Sequence, residues 1–269
     1  MKRETVKPVF FKGETALRTE AEAGYAASFV RFSTRHYSAE PISAPDREAV
    51  DALAVRINAF DDGIRAVPVY GAAPELFESF GYTKLSGVPA FLAILGKREK
   101  FADVKAGFYG EALCLALTRR NLKTCWVSGS IKKQMLKEYI EISRDERFLT
   151  SIVFGYGENR TPEAIAERRK RKPLDRIFAG ELTDERTRKL MTCVQNAPSA
   201  INRQPWQYAK ESGCLAVRKP VIPGGPFPEA LDIGISMLHA TFAGEALGMA
   251  GVWKKADGGN LAVFSMSAV

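Results

Sequence analysis

A chain of 269 residues, 46% hydrophobic and 26% charged, is long enough to bury a sizeable core and carries no compositional mark of disorder. Two histidines and four cysteines without a CxxC pair argue against a metal centre, a Ser-His-Asp triad and a disulfide framework. No apolar run approaches the roughly 18 residues that span a bilayer, and Met1–Lys12 lacks the apolar stretch of a secretory leader, so a cytoplasmic chain without a membrane partner is expected.

Taken in order, Val9-Phe-Phe11 has the composition of a short strand, and Ala16 to Phe32 that of an amphipathic helix. Ala44 to Ala59 is a second helix, introduced by Ser43-Ala-Pro-Asp with proline at an early position. Val88 to Leu95 and Thr150 to Phe154 are short apolar strands, and Phe108 to Leu117 is a helix apolar around most of its circumference, hence buried on nearly all sides. Thr161-Pro162-Glu163 opens a helix running to Arg171. Leu182 to Val194 is another, with Thr183 placed to cap it and Glu185 in its first turn. Gly213 to Val217 and Leu261 to Met266 are strands, and between them Ile233 to Leu247 is a second all-round apolar helix. The class is α+β with a mixed sheet and flanking helices.

A weak repeat runs through this order. Gly107 and Gly234, and Trp126 and Trp253, stand 127 positions apart, and each copy reads as a buried helix, a residue suited to the left-handed region (Asn121, Gly248), then a strand containing tryptophan.

Two segments call for chemistry. Arg168 to Lys172 is the densest contribution to a net charge of +8. It suits a solvated helix face or a phosphorylated ligand, whereas the interleaved aromatics of a single-strand nucleic-acid binder are missing, so no nucleic acid is expected as partner. Residues 197–206 read Ala-Pro-Ser-Ala-Ile-Asn-Arg-Gln-Pro-Trp: two prolines stiffen a loop from which the amides of Asn202 and Gln204 can donate to and accept from a planar heterocycle.

That loop resembles the APSxxNxQPW motif with which nitroreductase-like flavoproteins hold the isoalloxazine of FMN. Arg31-Phe-Ser-Thr-Arg35 resembles the family's RxSxR motif, and Arg169 and Arg171, ahead of Pro173, resemble its later basic motif. The resemblance implies that Arg31, Ser33, Arg35, Arg169 and Arg171 hold the FMN phosphate. It implies that Pro198, Ser199, Asn202 and Gln204 meet the ring, and that Ser128 and Gly129, in Trp126-Val-Ser-Gly-Ser130, bring a backbone N–H to flavin N5. Gly155-Tyr-Gly157 resembles the strand end before the basic helix. Ala200 replaces the loop's usual second serine, and Asn121-Leu-Lys-Thr124 stands where glycines are common. Trp206 is read as packing and Tyr156 as structural.

In this family the APS loop precedes the basic motif, whereas here it follows. The order is accounted for by duplication: an extension of residues 1–28, a first half of 29–178 that keeps the phosphate motifs, and a second half of 179–269 that keeps the APS loop. The APS equivalent in the first half, Asp61 to Tyr70, reads DDGIRAVPVY. The resemblance therefore implies a monomer acting as an intramolecular pseudo-dimer with one FMN. Electrons from NADH or NADPH pass through the flavin to a small-molecule acceptor such as a nitro compound or quinone, with no amino-acid acid or base demanded. A non-catalytic flavin-binding or flavin-sensing protein with a closed cavity is the alternative.

Overall fold

The two all-round apolar helices meet at the centre of the molecule. In the computed structural model, which describes residues 10–38, 40–71, 76–77, 84–129, 131–218, 229–256 and 258–266, they are α3 (Ala102–Arg119) and α7 (Glu229–Ala246), longer than their apolar runs suggest and buried along nearly their whole length. Their axes approach closely because two glycines remove the side chains that would keep them apart. A Cβ on Gly107 would lie 2.0 Å from the Leu231 carbonyl oxygen, and one on Gly234 would lie 1.9 Å from that of Val104. The contact is reciprocal, with both partners displaced by the same 127 positions as the repeat. Gly234→Ala is expected to force the helices apart and cost about 1–3 kcal/mol, the usual range for overpacking, as read by urea denaturation.

On each side of this pair lies an antiparallel sheet. In one, β1 (Ile64–Tyr70), β2 (Ala90–Lys97), β3 (Lys123–Val127) and β4 (Glu146–Gly155) take the order β1-β2-β4-β3. In the other, β6 (Tyr208–Glu211), β7 (Cys214–Arg218), β8 (Gly251–Lys255) and β9 (Asn260–Met266) take the order β6-β7-β9-β8, with the two-residue β5 (Phe178–Ala179) parallel to β6 at the edge. The four-strand orders are the same. β2 is apolar on both faces because each faces a core: Ala90, Leu92 and Ile94 pack into the main cluster with α3, while Phe91, Ala93 and Leu95 pack against Leu136, Ile140 and Val153. Pro68 sits in β1, the sheet edge, where a missing N–H is tolerated.

Several expected boundaries move. Residues 14–20 form a 3₁₀ helix and α1 is Ala21–Val30, since Arg31 turns extended and lets Ser33 and Thr34 run beside Thr124 of β3. α2 (Ala44–Phe60) starts where expected, with the Ser43 hydroxyl accepting from Asp46 N. α4 (Pro162–Arg168) stops short of Arg171, consistent with Pro173 disfavouring helix just before it. A four-residue helix α5 (Leu174–Ile177) follows, and α6 (Glu185–Asn196) is capped by Asp184 rather than Thr183, its carboxylate accepting from Arg186 N and Thr187 N. No strand forms at Phe10–Phe11, and Val9 lies outside the described residues. Instead Phe10 N donates to Trp253 O at 2.7 Å, and the Phe11 ring stacks on Phe108 with centroids 3.7 Å apart.

Behind this segment Glu14 is almost fully buried, accepting from Trp253 N at 3.1 Å and from the Thr241 hydroxyl at 3.3 Å. Burial pushes its carboxyl up to about 7 from 4.5. Between those values the folded chain holds a proton that the unfolded chain releases, so stability falls as pH rises through the window, by about 3 kcal/mol in total. Denaturation at pH 5 and pH 8 should show that loss, and Glu14→Gln should remove most of it. A pH difference unchanged by the substitution counts against this account.

Candidate functional site

Arg31 caps the end of α1 and is only 3% exposed. Its Nε lies 3.6 Å from Glu111 Oε1, a carboxylate that also accepts from Trp126 Nε1 at 2.8 Å and faces His239 Nε2 at 3.0 Å. No hydrogen-bond partner reaches Arg31 Nε or Nη1, both buried. After α4 the basic segment doubles back onto this point. Arg169 donates to the carbonyls of Arg31 at 2.6 Å and Ser28 at 3.3 Å. Arg171 donates to Asn202 Oδ1 at 2.7 Å and Asn196 O at 3.1 Å, leaving its buried Nε unpartnered. Burial, then the charge of Arg31, lowers Arg169 to about 9 and Arg171 to about 10. Three guanidiniums held together against desolvation and mutual repulsion, with N–H groups to spare, make a site that gains from an anion.

The loop at 197–206 forms the opposite wall. Ile201 (φ 44°), Asn202 (φ 60°) and Gln204 (φ 47°) are all in the left-handed region, which costs roughly 1–3 kcal/mol each and is most unusual for β-branched isoleucine. Hydrogen bonds over-determine the shape. Ser199 Oγ accepts from Gln204 N at 2.9 Å, and both oxygens of the buried Asp232 lie 3.1 Å from Ala200 N. Gln204 Oε1 accepts from Lys172 N at 2.8 Å, and Asn202 Nδ2 donates to Lys170 O at 2.7 Å. The result holds Ile201 60% exposed at the rim.

Between the walls is a cavity of about 450 Å³. One side is Arg31, Phe32, Ser33 and Arg35 with Arg168, Arg169, Lys170 and Arg171, and the other is Pro198, Ser199, Ile201 and Asn202, with Arg160 and Ile165 completing the lining. Eight of the eleven residues singled out from the sequence are thus brought together. Three are not in the lining. Gln204 is buried and its amide serves the 170–172 segment, so it does not project towards a heterocycle. Ser128 bonds Thr150 Oγ1 at 2.8 Å, and Gly129 is exposed at the end of β3; Ser130 lies outside the described residues. Trp206 is buried in the core and Tyr156 donates to Asp46 at 2.6 Å, packing and structural roles respectively. Missed from the sequence were Ile201, whose strained backbone carries no sequence signal, and Asp232, Phe32 and Arg160, which only folding brings here. Burial pushes the Cys193 thiol up to about 12, so it stays protonated and is no nucleophile.

The residues present fit an aromatic phosphate ester such as FMN: orphaned guanidinium N–H groups for the phosphate, and a rigid wall with an exposed aliphatic side chain for a ring. No helix among the described residues is long and apolar enough to cross a membrane.

Residues 25–244 match the model of the family described as "Putative TM nitroreductase". Among solved structures, a "putative nitroreductase" of Thermotoga maritima superposes with a TM-score of 0.62 at 22% identity, over 90% of this chain and 92% of its own. A nitroreductase with bound FMN from Desulfitobacterium hafniense matches with a TM-score of 0.45 at 15% identity, over 59% of this chain and 98% of its own. A nitroreductase family protein of Clostridium difficile matches with a TM-score of 0.46 at 16% identity, over 60% of this chain and 98% of its own. No curated protein sequence matches.

Proposed function

This chain belongs to that nitroreductase family, and on that premise we propose that it is an FMN-dependent oxidoreductase with one flavin site per chain. The observation that carries the reading is the cluster of buried Arg31 with half-buried Arg169 and Arg171, in which Arg31 Nε and Nη1 and Arg171 Nε have no hydrogen-bond partner among the described residues, lining the same cavity as the strained 198–202 wall. When bound, FMN supplies the redox step, taking two electrons from NADH or NADPH and passing them to a nitro compound, quinone or similar acceptor.

The chain's own work is positioning. Arg31, Arg169 and Arg171, with Ser33 and Arg35 on the adjoining extended segment, take the phosphate through charge-assisted bonds. Pro198, Ser199 and Asn202 meet the ring edge, Ile201 offers it an aliphatic contact, and Asp232 fixes the loop from behind. The donor to flavin N5 is assigned to Gly129, following the family resemblance.

One flavin per chain follows from an internal duplication, supported by the reciprocal Gly107 and Gly234 contacts and the matching strand orders. The complementary crevice, between β8 and the Asp61–Gly63 turn, is filled by the chain itself. Phe10 N bonds Trp253 O much as Thr34 N bonds Thr124 O, and Lys12 pairs with Asp62 at 2.8 Å.

The visible spectrum of purified protein, followed by turnover with NADH or NADPH and a quinone or nitro acceptor, tests the function. Flavin bands at about 370 and about 450 nm with turnover are expected. Absence of flavin defeats the reading, and bound flavin without turnover makes the protein a carrier or sensor.

A further inference from the structure

A second cavity, of about 260 Å³, shares Phe32, Ser33, Arg35 and Arg160 with the first and extends it past Thr34, His36 and Glu158. None of residues 165–171 or 198–202 lines it, so it adjoins the first cavity at Ser33 and Arg35, apart from the 198–202 wall. Three observations indicate what it takes. Thr34 is 6% exposed and its hydroxyl, buried in this lining, has no hydrogen-bond partner. The Arg160 guanidinium, shared by both cavities, is held flat by Glu158 through bonds of 3.2 and 3.0 Å and lies 4.6 Å over the Phe32 ring, a planar cation on which a purine can stack.

The third observation is charge. Among the described residues, seven arginine and lysine side chains and no carboxylate line the first cavity. One FMN phosphate is a single dianion, and the four guanidiniums already assigned to it, Arg31, Arg35, Arg169 and Arg171, exceed its charge. Arg168 and Lys170 add to that excess, and Arg35 beside the Arg160–Glu158 pair carries net positive charge into the second cavity, where Glu158 is the one carboxylate among the described residues. More negative charge than one phosphate is called for.

We propose that this second cavity receives the adenosine phosphates of the electron-donating dinucleotide and selects its 2′-phosphorylated form, NADPH. The proposal rests on the flavin reading above, because a nicotinamide lying against the 198–202 wall would have its adenosine end past the flavin phosphate. Arg160 and the Thr34 hydroxyl bind the adenosine phosphates, and neither belongs to the set that anchors FMN.

Two probes test this on the flavin-loaded protein at low salt: adenosine 2′,5′-bisphosphate and adenosine 5′-monophosphate, by calorimetry. The bisphosphate should bind at least tenfold more tightly, as one added charge-assisted contact implies. Thr34→Val should weaken it about tenfold while FMN per chain stays unchanged, and Arg160→Ala, at a residue that also lines the flavin cavity, should weaken the bisphosphate about tenfold and more than it weakens FMN. In turnover the ratio of kcat/KM for NADPH to that for NADH should exceed ten and fall towards one in Arg160→Ala. Equal affinity for the two probes, or displacement of FMN by the bisphosphate, overturns the proposal. So does FAD binding the apo-protein tenfold more tightly than FMN with that advantage lost in Arg160→Ala, since the cavity would then hold the cofactor's own adenylate. If the protein binds no flavin, the oxidoreductase reading fails, and the probe titration still decides the cavity's ligand.

Discussion

Protein carrying both Arg31→Ala and Arg171→Ala is expected to purify colourless and to bind added FMN about 10²–10⁴-fold more weakly. Each charge-assisted bond to a phosphate is worth roughly 1.5–3 kcal/mol, and two are removed. The geometry makes the upper part of that range the better expectation. Among the described residues Arg31 Nη1 and Arg171 Nε have no hydrogen-bond partner and Arg31 Nε has only the Glu111 carboxylate at 3.6 Å, so a phosphate adds hydrogen bonds there. The same cluster is a burden on the empty fold: desolvation and the neighbouring charge of Arg31 lower Arg171 to about 10. FMN should therefore raise the melting temperature of the unmodified protein well beyond what its affinity for a surface site would give, and this gain should vanish in the double variant. Unchanged flavin content in the variant would remove the phosphate assignment.

The second large effect concerns stoichiometry. Apo-protein titrated with FMN should saturate at one flavin per chain and remain monomeric by mass in solution. The residues proposed to hold the phosphate, Arg31, Ser33, Arg35, Arg169 and Arg171, and those proposed to meet the ring, Pro198, Ser199 and Asn202, all line one cavity within a single chain. Two flavins per chain, or binding only by a dimer, contradicts the proposed duplication. Asn202→Ala is the mutational companion. Its side chain accepts from Arg171 at 2.7 Å and donates to Lys170 O at 2.7 Å, so truncation removes both contacts and loosens the basic segment as well as the 198–202 wall. Flavin affinity should fall by about 0.5–1.5 kcal/mol, the range for a hydrogen bond between exposed groups. If affinity is unaffected, residues 197–206 form a turn that does not touch the cofactor.

What could be read from the chain alone was whatever depends on local chemistry. The all-round apolar runs announced α3 and α7 as buried helices, since no helix of that composition can face water. Pro198, Ser199 and Asn202, together with Arg31, Ser33, Arg35, Arg169 and Arg171, stood out through their resemblance to the family's motifs, and the fold brings these eight residues into the lining of one cavity. The 127-position offset was visible too, although only the approach of Gly107 to Leu231 and of Gly234 to Val104 gives it a physical reason. Tertiary structure decided the rest. Whether an amide points at a ligand or at its own chain depends on neighbours distant in sequence, and Gln204 turned inwards because Lys172 N needed an acceptor there. Asp184 took the cap from Thr183 because its two oxygens serve two N–H groups at once. The strain at Ile201, the burial of Glu14 behind Phe10 and Phe11, and the cavity past Thr34 all arise from long-range packing. Such packing depends on which surfaces meet, and a single sequence specifies this only through the whole fold.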